Sequence, residues 1–498
     1  MDPGILDPSV LAPAAWLGIG AMVVLMGEVF LARGASVEEA GTRAKVRLGT
    51  TLAGLASVAV VLAIYTAGSN FVADVRSVFN PAHPMLQMDP LSSAAMVGVG
   101  AATLLSVMLS ITYLPVLHIN HGEYYALILL STAGMFVMVT AVDLIAVFMG
   151  LELMSVPIYA LAGFDRRKLR SNESGIKYFL IGAFASAILL YGMALLYGAT
   201  GHTGFAGLSA GFDPDSALAM AGLGLVLVGF TFKIAAVPFH QWTPDVYEGA
   251  PTTVTAFMSV TVKLAAFVVL LRFLELAVPG RGASVGDVLW GLSALSMVVG
   301  NVMAVIQTNV KRMLAYSSVA HAGYVLVGFV AGTPGAHSAI LFYLLAYVFM
   351  NLGAFGVVIA LARSGRENER IDDFAGLAQV RPGLAAVMTL FLLALAGIPG
   401  TAGFMAKFYL FSSAVNAGYV TLAIVGVLSS VVSVYYYLRL PVVMYMREPL
   451  GEEVSEASTN EVAVLALCAI AVIWLGLLPN QGLVPALDLA ARAVAGLP

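Results

Sequence analysis

The sequence predicts an all-α polytopic membrane protein with about fourteen transmembrane helices. Of its 498 residues, 60% are hydrophobic and only 10% are charged, whereas soluble domains are about 25% charged. The apolar residues form continuous runs long enough to cross about 30 Å of hydrocarbon, without the alternation of a transmembrane β-barrel. The expected spans are 11–32, 48–67, 91–114, 124–141, 144–163, 175–198, 218–247, 252–275, 286–307, 312–331, 338–362, 383–413, 417–446 and 461–483.

Composition and short motifs exclude several classes of function. The formal net charge of −4 is unlike the basic surface that binds nucleic acid. One cysteine, Cys468, excludes a disulfide framework and a cysteine-ligated iron–sulfur cluster within this chain. No phosphate-binding loop and no dinucleotide-binding glycine motif is present, so we expect neither a cofactor nor a metal here. The first residues, MDPGILDPSV, lack the basic region of a signal peptide, so the first helix is expected to be retained.

Basic residues in the connections predict the orientation of the chain. Cytoplasmic connections of membrane proteins are enriched in lysine and arginine. The odd-numbered connections hold sixteen of them: Arg33, Arg43, Lys45, Arg47, Arg166, Arg167, Lys168, Arg170, Lys311, Arg312, Arg363, Arg366, Arg370, Arg381, Arg439 and Arg447. The even-numbered connections and the C-terminal end hold four: Arg76, Arg272, Arg281 and Arg492. This asymmetry predicts an even number of helices with both termini on the non-cytoplasmic side.

Two spans contain helix-breaking residues. The seventh leads into FTFKIAAVPFHQWTPDVYEGAPTTVTAF, with three prolines, and the twelfth contains LALAGIPGTAGFMAKFYLF. Such breaks survive in hydrocarbon only where protein or a polar cavity satisfies the freed backbone groups. Their separation by five spans predicts two inverted five-helix repeats. The expected division is residues 1–114 for helices 1–3, 124–275 for the first repeat, 286–446 for the second and 461–483 for helix 14.

Five ionisable residues fall inside the apolar spans, where charge is costly and usually functional. A lysine whose carboxylate partner moves changes its proton affinity, so the set predicts a membrane-embedded proton relay. Alternatives remain: a protonated glutamate bonded to a carbonyl, or a lysine reaching the interface, most plausibly Lys177. The five residues are Glu152, Lys177, Lys233, Lys263 and Lys407.

Two histidines extend this polar set, because imidazole exchanges protons near neutral pH. His240 lies in PFHQW and His321 in SSVAHAGY, and simple hydrogen bonding within the helix is the alternative for each. Asp245 and Glu248, in PDVYEGAP, are expected either to cap a half-helix or to line a cavity.

Five segments occur in a distinctive order: GLELMSVPIYAL, SGIKYFLIGAFASA, FKIAAVPFHQWTPDVYEGAPTTVTAF, NVKRMLAYSSVAHAGY and GIPGTAGFMAKFYLF. From about Asp89 to Tyr445 the chain resembles the antiporter-like subunits of bacterial proton-pumping NADH:quinone oxidoreductase, respiratory complex I. Among these it resembles the subunit N family, the counterpart of mitochondrial NADH dehydrogenase subunit 2. Subunit M typically has glutamate at the position of Lys407, so this lysine favours subunit N over subunit M. Subunit L has a long extra C-terminal helix, whereas here the chain ends soon after the last expected span, which argues against subunit L.

The resemblance implies fourteen helices, discontinuous helices 7 and 12, and a proton channel coupled to redox chemistry in other subunits. It implies that NADH, FMN, iron–sulfur clusters and quinone are bound by partners, with other membrane-arm subunits and lipid around this chain in a bacterial inner membrane. On the family pattern Glu152 pairs with Lys233, Lys177 lies nearby, Lys263 connects the halves, Lys407 is the terminal group, and His240 and His321 add to the axis.

Three functions remain open from the residues alone. The first is a proton-translocating subunit of the oxidoreductase, which acts as an enzyme only within the complex. The second is an Mrp-type or stand-alone cation/proton antiporter, whose buried charges would look the same. The third is a scaffold that supports assembly, in which neutral substitutions of the buried charges would be tolerated.

Overall fold

Nearly all of the described chain is helical. The computed structural model describes residues 7–33, 42–79, 81, 83–279, 282–362, 367–449, 457–481 and 483–494. The first helices are α1 Pro8–Arg33, α2 Thr42–Val72, α3 Pro90–Val116, α4 Gly122–Thr140, α5 Leu144–Ala162, α6 Leu169–Thr200, α7 Phe205–Gly211, α8 Ala217–Ile234 and α9 Trp242–Gly249. The remaining helices are α10 Thr252–Arg272, α11 Ala283–Val305, α12 Val310–Ala331, α13 Pro334–Ala360, α14 Leu377–Val380, α15 Pro382–Ala396, α16 Ala402–Asn416, α17 Val420–Met446, α18 Thr459–Leu477 and α19 Leu483–Val494.

Short elements complete the fold. A π-helical turn, Phe273–Ala277, extends α10, and a 3-10 turn covers Ile371–Phe374. Two strands, β1 Ser77–Phe79 and β2 Leu86–Met88, pair antiparallel between α2 and α3. The twelve-residue α19, which was not predicted from the sequence, packs against α3 and α13.

The number of helices agrees with the sequence prediction. Thirteen helices in the described part of the chain are long and apolar enough to cross a membrane. The predicted span 383–413 is divided between α15 and α16, each of fifteen residues. Neither reaches the about 20 residues that hydrocarbon requires, and a fourteenth crossing made by this pair stays a prediction.

The seventh and twelfth predicted spans are both interrupted by residues with left-handed backbone conformation. After α8 the chain turns at Ala235, with φ of 60°, before α9 begins at Trp242. After α15 it turns at Gly397, with φ of 88°. Glycine adopts this conformation without a steric penalty and commonly ends helices. Each break therefore exposes the carbonyl end of one half-helix inside the protein.

The centre of the molecule consists of α10, α12 and α13. Every residue of α10 is buried, as is every residue of α12 except Arg312. The outer helices expose apolar side chains such as Met22, Phe184 and Ile424, as expected of surfaces that meet lipid. Polar residues on α10 and α12 are therefore separated from the surroundings by a layer of other helices.

Glycines allow α4 and α5 to approach closely. A Cβ at Gly134 on α4 would lie 2.3 Å from the Met154 nitrogen of α5, and one at Gly150 would lie 2.8 Å from the Met138 nitrogen. Real Cβ atoms do not approach backbone this closely, so only glycine fits here. Small residues at such contacts are typical of membrane helix packing.

Two basic residues that the sequence placed in connections are instead buried. The Arg272 side chain is 1% exposed and donates to both Asp89 oxygens, at 2.7 and 2.8 Å. The Lys311 side chain is fully buried and forms an ion pair with Glu369 at 2.8 Å. Counting residues between apolar runs did not identify these pairs, because each partner lies far away in sequence.

Candidate functional site

Lys233 lies in the last turn of α8, directly before the first break. Its ammonium donates hydrogen bonds to the hydroxyls of Ser155, at 2.8 Å, and Tyr159, at 3.1 Å, both on α5. The residue is 2% exposed. Unpaired carbonyls at the end of a helix favour a nearby cation. The end of α8 and the hydroxyls of α5 thus provide a polar site for a buried ammonium.

Glu152 lies one turn before Ser155 on α5. Its Oε1 atom is buried without a hydrogen-bond partner, and Glu152 forms no ion pair with any described residue. The expected Glu152–Lys233 ion pair is therefore absent from this structure, because Lys233 is turned to the two hydroxyls. Next to Glu152 on the helix, Met149 and Val156 are exposed, so the carboxylate is close to the lateral surface of the chain.

Lys177 is not a buried charge. Its side chain is 41% exposed and forms ion pairs with Glu173 and with Asp245, the latter at 3.0 Å. Arg312 binds Asp245 at 2.7 Å and Glu248 at 2.9 Å. The expected burial of Lys177 is wrong, and its charge reaches the exposed end of the bundle. Asp245 and Glu248 pair with cations there, and neither caps α9.

Lys263 lies in the middle of α10 and is 3% exposed. Its ammonium donates to the Ser318 carbonyl on α12. The lysine is thus enclosed between the two most deeply buried helices. Ser259, one turn before Lys263 on α10, and Thr261, two residues before it, are also fully buried.

His321 on α12 is held by two tyrosine hydroxyls. Its Nε2 atom lies 3.1 Å from the Tyr437 oxygen of α17, and its Nδ1 atom lies 2.7 Å from the Tyr343 oxygen of α13. The Tyr437 hydroxyl also hydrogen-bonds to Ser317. Both ring nitrogens therefore have hydroxyl partners, and the histidine connects α12, α13 and α17.

Lys407 on α16 is bound to the carbonyl end of the preceding half-helix. Its ammonium donates to Ala396 at 2.9 Å and Leu395 at 3.2 Å, and lies 4.7 Å from the centre of the Tyr324 ring. Beside it is an apolar cavity of about 720 Å³ between α16 and α17, in which Lys407 is the one charged residue among the described lining residues.

His240 is separate from these contacts. It lies in the break between α8 and α9, half-buried, with its ring centre 6.5 Å from that of Tyr316. Within the described residues it has no hydrogen bond or ion pair with Glu152 or with the four lysines. Its proposed role in the polar axis stays a prediction.

Hydroxyl groups are the part of the site that sequence reasoning missed. The structure brings Lys233, Lys263, His321 and Lys407 into the interior, and it leaves Lys177 at the exposed end. Lys233 and His321 contact, directly or through Tyr437, a set of hydroxyl groups on four different helices. They belong to Ser155, Tyr159, Ser317, Tyr343 and Tyr437. A tyrosine in an apolar run gives no signal of its own, since most are packing residues.

Another group of ligand-type side chains lies near the start of α4. Oxygen or nitrogen atoms of Glu28, His121 and Glu123 lie within 4.8 Å of one another. Glu28 Oε1 accepts from the Gly122 amide at 3.0 Å, which satisfies a free N–H at the helix start. Helix capping accounts for this carboxylate.

Comparison with known proteins identifies the family of the chain. The family described as NADH:quinone oxidoreductase/Mrp antiporter, TM, matches residues 141–433. NADH-quinone oxidoreductase subunit N of Trichlorobacter lovleyi is 51% identical, over 76% of this chain and 78% of that protein. Subunit N of Myxococcus xanthus is 43% identical, over 94% and 95%.

A solved structure extends the similarity to three dimensions. A chain of respiratory complex I from Thermus thermophilus superimposes with a TM-score of 0.80 and 32% identity, covering 96% of this chain and 99% of that chain. The chain belongs to the subunit N family of NADH-quinone oxidoreductases, within the wider NADH:quinone oxidoreductase/Mrp antiporter family.

Proposed function

We propose that this protein is a proton-translocating membrane-arm subunit of NADH:quinone oxidoreductase. The observation that carries the proposal is the set of buried protonatable groups on helices next to two broken spans. Lys233, Lys263, His321 and Lys407 are each at most 6% exposed. Buried ionisable groups inside a membrane protein mark ion paths by default.

The relay runs through the second half by way of hydroxyls. Lys263 of α10 lies against α12. His321, which belongs to α12, exchanges protons with Tyr437 and Tyr343. Lys407 faces Tyr324, also on α12. Protonation of one lysine raises the free energy needed to protonate the next. A charge displaced at one end of the row formed by Lys233, Lys263, His321 and Lys407 therefore shifts protons along that row.

Both ends of the row lie near the sides of the chain. Glu152 lies beside exposed residues of α5, and Lys407 lies beside an apolar cavity near the exposed Phe408. These two faces are where other membrane-arm subunits would act on the relay. In this proposal NADH, FMN, iron–sulfur clusters and quinone are bound by those partners, and this chain supplies the proton path.

Orientation follows from the distribution of basic residues. We assign the end of the bundle that carries Lys168, Lys177 and Arg312, called the basic end below, to the cytoplasm of a bacterial cell with its inner membrane around the helices. The opposite end carries Asp89 and Arg272. Both termini then lie on the non-cytoplasmic side.

Two repeats account for the internal organisation. In this proposal α4–α10 form the first antiporter-like repeat and α11–α17 the second, flanked by α1–α3 and by α18. The glycine contact of Gly134 and Gly150 between α4 and α5 has a counterpart between α11 and α12. There a Cβ at Gly300 would lie 2.6 Å from the Ala320 nitrogen, and one at Gly323 would lie 2.6 Å from the Met297 nitrogen. The first two helices of each repeat thus pack in the same way.

A cation/proton antiporter of the Mrp type is the alternative function, because the family model includes both classes. Purification through a tag on this chain separates them. We expect NADH-oxidising and quinone-reducing subunits to co-purify, and reconstituted vesicles to take up protons when NADH is oxidised. Recovery of antiporter subunits alone, with sodium-driven proton exchange and no NADH oxidation, would establish the alternative.

Tyr437→Phe tests the hydroxyl contribution to the relay. The substitution removes hydrogen bonds to His321 and Ser317 and keeps the ring. Loss of about 1 kcal/mol of stabilisation predicts proton translocation slowed about fivefold. Translocation is measured as NADH-driven uptake in vesicles, normalised to the amount of assembled complex. An unchanged rate would remove Tyr437 from the path.

A further inference from the structure

Three separate connections converge at the basic end of the bundle. Lys168 comes from the connection between α5 and α6, Lys311 from the start of α12, and Glu367 and Glu369 from the segment after α13. They surround the short turn between α9 and α10, where Thr252 begins α10. We call Lys168, Thr252, Glu367, Glu369 and Lys311 the Glu367 cluster.

Glu367 binds the start of α10 and a lysine of another connection at the same time. Its Oε1 atom accepts from the Thr252 hydroxyl at 3.0 Å and, more weakly, from the Thr252 amide at 3.4 Å. The shorter bond of that amide, at 2.8 Å, is to the Tyr113 hydroxyl of α3. Its Oε2 atom lies 2.8 Å from the Lys168 ammonium. The Glu367 side chain is 11% exposed. An acceptor at a helix N-terminus satisfies free N–H groups and complements the helix dipole, and α10 is the helix that carries Lys263.

Glu369 and Lys311 hold the other side of the same turn. Lys311 donates to the Ala250 carbonyl at 2.8 Å and to Glu369 at 2.8 Å, and Asn309 donates to Glu369 at 3.1 Å. The turn that starts α10 is thus held by backbone contacts from Lys311, from the Tyr113 hydroxyl and, at a longer distance, from Glu367. Asp165 adds a carboxylate 3.7 Å from Lys168.

The two carboxylates of the cluster differ in proton affinity. Burial, with the neighbouring Glu369 carboxylate, raises the pKa of Glu367 to about 8. Burial also opposes ionisation of Glu369, but Lys311 and Asn309 outweigh it and lower the pKa of Glu369 below its usual value. Burial lowers the pKa of Lys168. Glu367 is therefore the carboxylate of this pair that changes charge near physiological pH.

We infer that Glu367 is a protonatable positioning residue at the basic end of the proton path, an inference that rests on the proposed function. When ionised, Glu367 holds Lys168 against the first turn of α10 and closes this end. When a proton from the adjoining water binds Glu367, the contact with Lys168 weakens, because a neutral carboxyl group attracts an ammonium less strongly than a carboxylate does. The start of α10 is then free to admit water toward Lys263.

Glu367→Gln tests the inference through the pH profile of the assembled complex. A glutamine has the neutral charge of the protonated acid at every pH. Wild-type turnover is expected to fall as pH rises through about 8, whereas E367Q turnover is not. The turnover of E367Q divided by that of the wild type should be near one at pH 7 and should rise by up to about tenfold at pH 9. The rise reflects the falling protonated fraction of Glu367 in the wild type.

Asp372→Asn is the matched control, since Asp372 is an exposed carboxylate five residues along that pairs with Arg447. Its profile should equal that of the wild type. Equal slowing of wild type and E367Q would overturn the inference. Lys233→Met, measured in the same vesicles, distinguishes failure of the proposed function from failure of this inference. Normal pumping by K233M would contradict the proposed function. Loss of pumping by K233M, together with E367Q turnover that falls with pH as much as wild-type turnover, would contradict only the role of Glu367.

Hydrogen exchange in the wild-type complex gives a second measurement that needs no variant. After correction for the intrinsic pH dependence, amides of residues 250–256 should exchange more slowly at pH 9 than at pH 7, because ionised Glu367 holds Thr252. This measurement decides the matter where E367Q fails to assemble. Equal corrected exchange at the two pH values would overturn the inference.

Discussion

Lys233→Met is expected to reduce NADH-driven proton uptake by about tenfold or more while the complex still assembles. Methionine has nearly the length and volume of lysine, so the space beside α5 stays filled. What is lost is the ammonium bound by Ser155 and Tyr159 at the end of α8. Groups that donate and accept protons in a rate-determining step commonly contribute about a hundredfold or more.

Proton uptake by inverted membrane vesicles, measured together with NADH oxidation and the amount of assembled complex, checks this prediction. Arg447→Met is the control, because it removes a cation whose side chain is 57% exposed and pairs with an exposed Asp372. Exposed ion pairs contribute little, so this variant should pump normally. Normal uptake by both variants would show that Lys233 is not part of the path and would favour a scaffold role.

Glu152 does not form the expected ion pair with Lys233 in this structure. Its Oε1 atom is buried without a hydrogen-bond partner. A partner subunit at the exposed face of α5 would change this environment.

Helix number and the positions of the breaks were predictable from the sequence. Apolar runs of about 20 residues predict transmembrane helices, and the proline and glycine clusters mark where such runs cannot stay helical. The structure ends α8 at Ile234 and α15 at Ala396, each within a few residues of those clusters. Local sequence is sufficient for these features because a helix break depends on nearby residues.

The partners of the buried charges were not predictable, because they come from distant segments. Lys168 and Glu367 are 199 residues apart, and Arg272 and Asp89 are 183 apart. Without the packing of the helices, a basic residue beside an apolar run has no visible partner. For the same reason the sequence placed Arg272 and Lys311 in connections.

Lys177 shows the opposite error. Its position in an apolar run suggested burial, yet a long side chain near the end of a helix carries its charge to the surface. At the surface Lys177 forms ion pairs with Glu173, one turn earlier on α6, and with Asp245 on α9. Distance from the end of the span distinguishes this lysine from Lys263, which lies twelve positions into α10.

Lys407→Arg is the second substitution with a large expected effect, and it separates charge from proton exchange. Arginine keeps a cation that can donate to the Ala396 and Leu395 carbonyls at the end of α15. The cavity of about 720 Å³ beside Lys407 provides space for the longer side chain. Arginine does not release its proton at any accessible pH. We therefore expect K407R to assemble normally and to lose about tenfold or more of its proton uptake.

Lys407→Met provides the comparison, because it removes both the charge and the exchangeable proton. If Lys407 only neutralises the free carbonyls of α15, K407R should pump like the wild type and K407M should be impaired in assembly. If Lys407 is the terminal group of the relay, both variants should fail to pump, and K407R should form more of the complex than K407M. A cation at the carbonyl end of a half-helix is expected both for a structural cap and for a proton carrier. A fixed and an exchangeable charge at this one position must therefore be compared to distinguish the two roles.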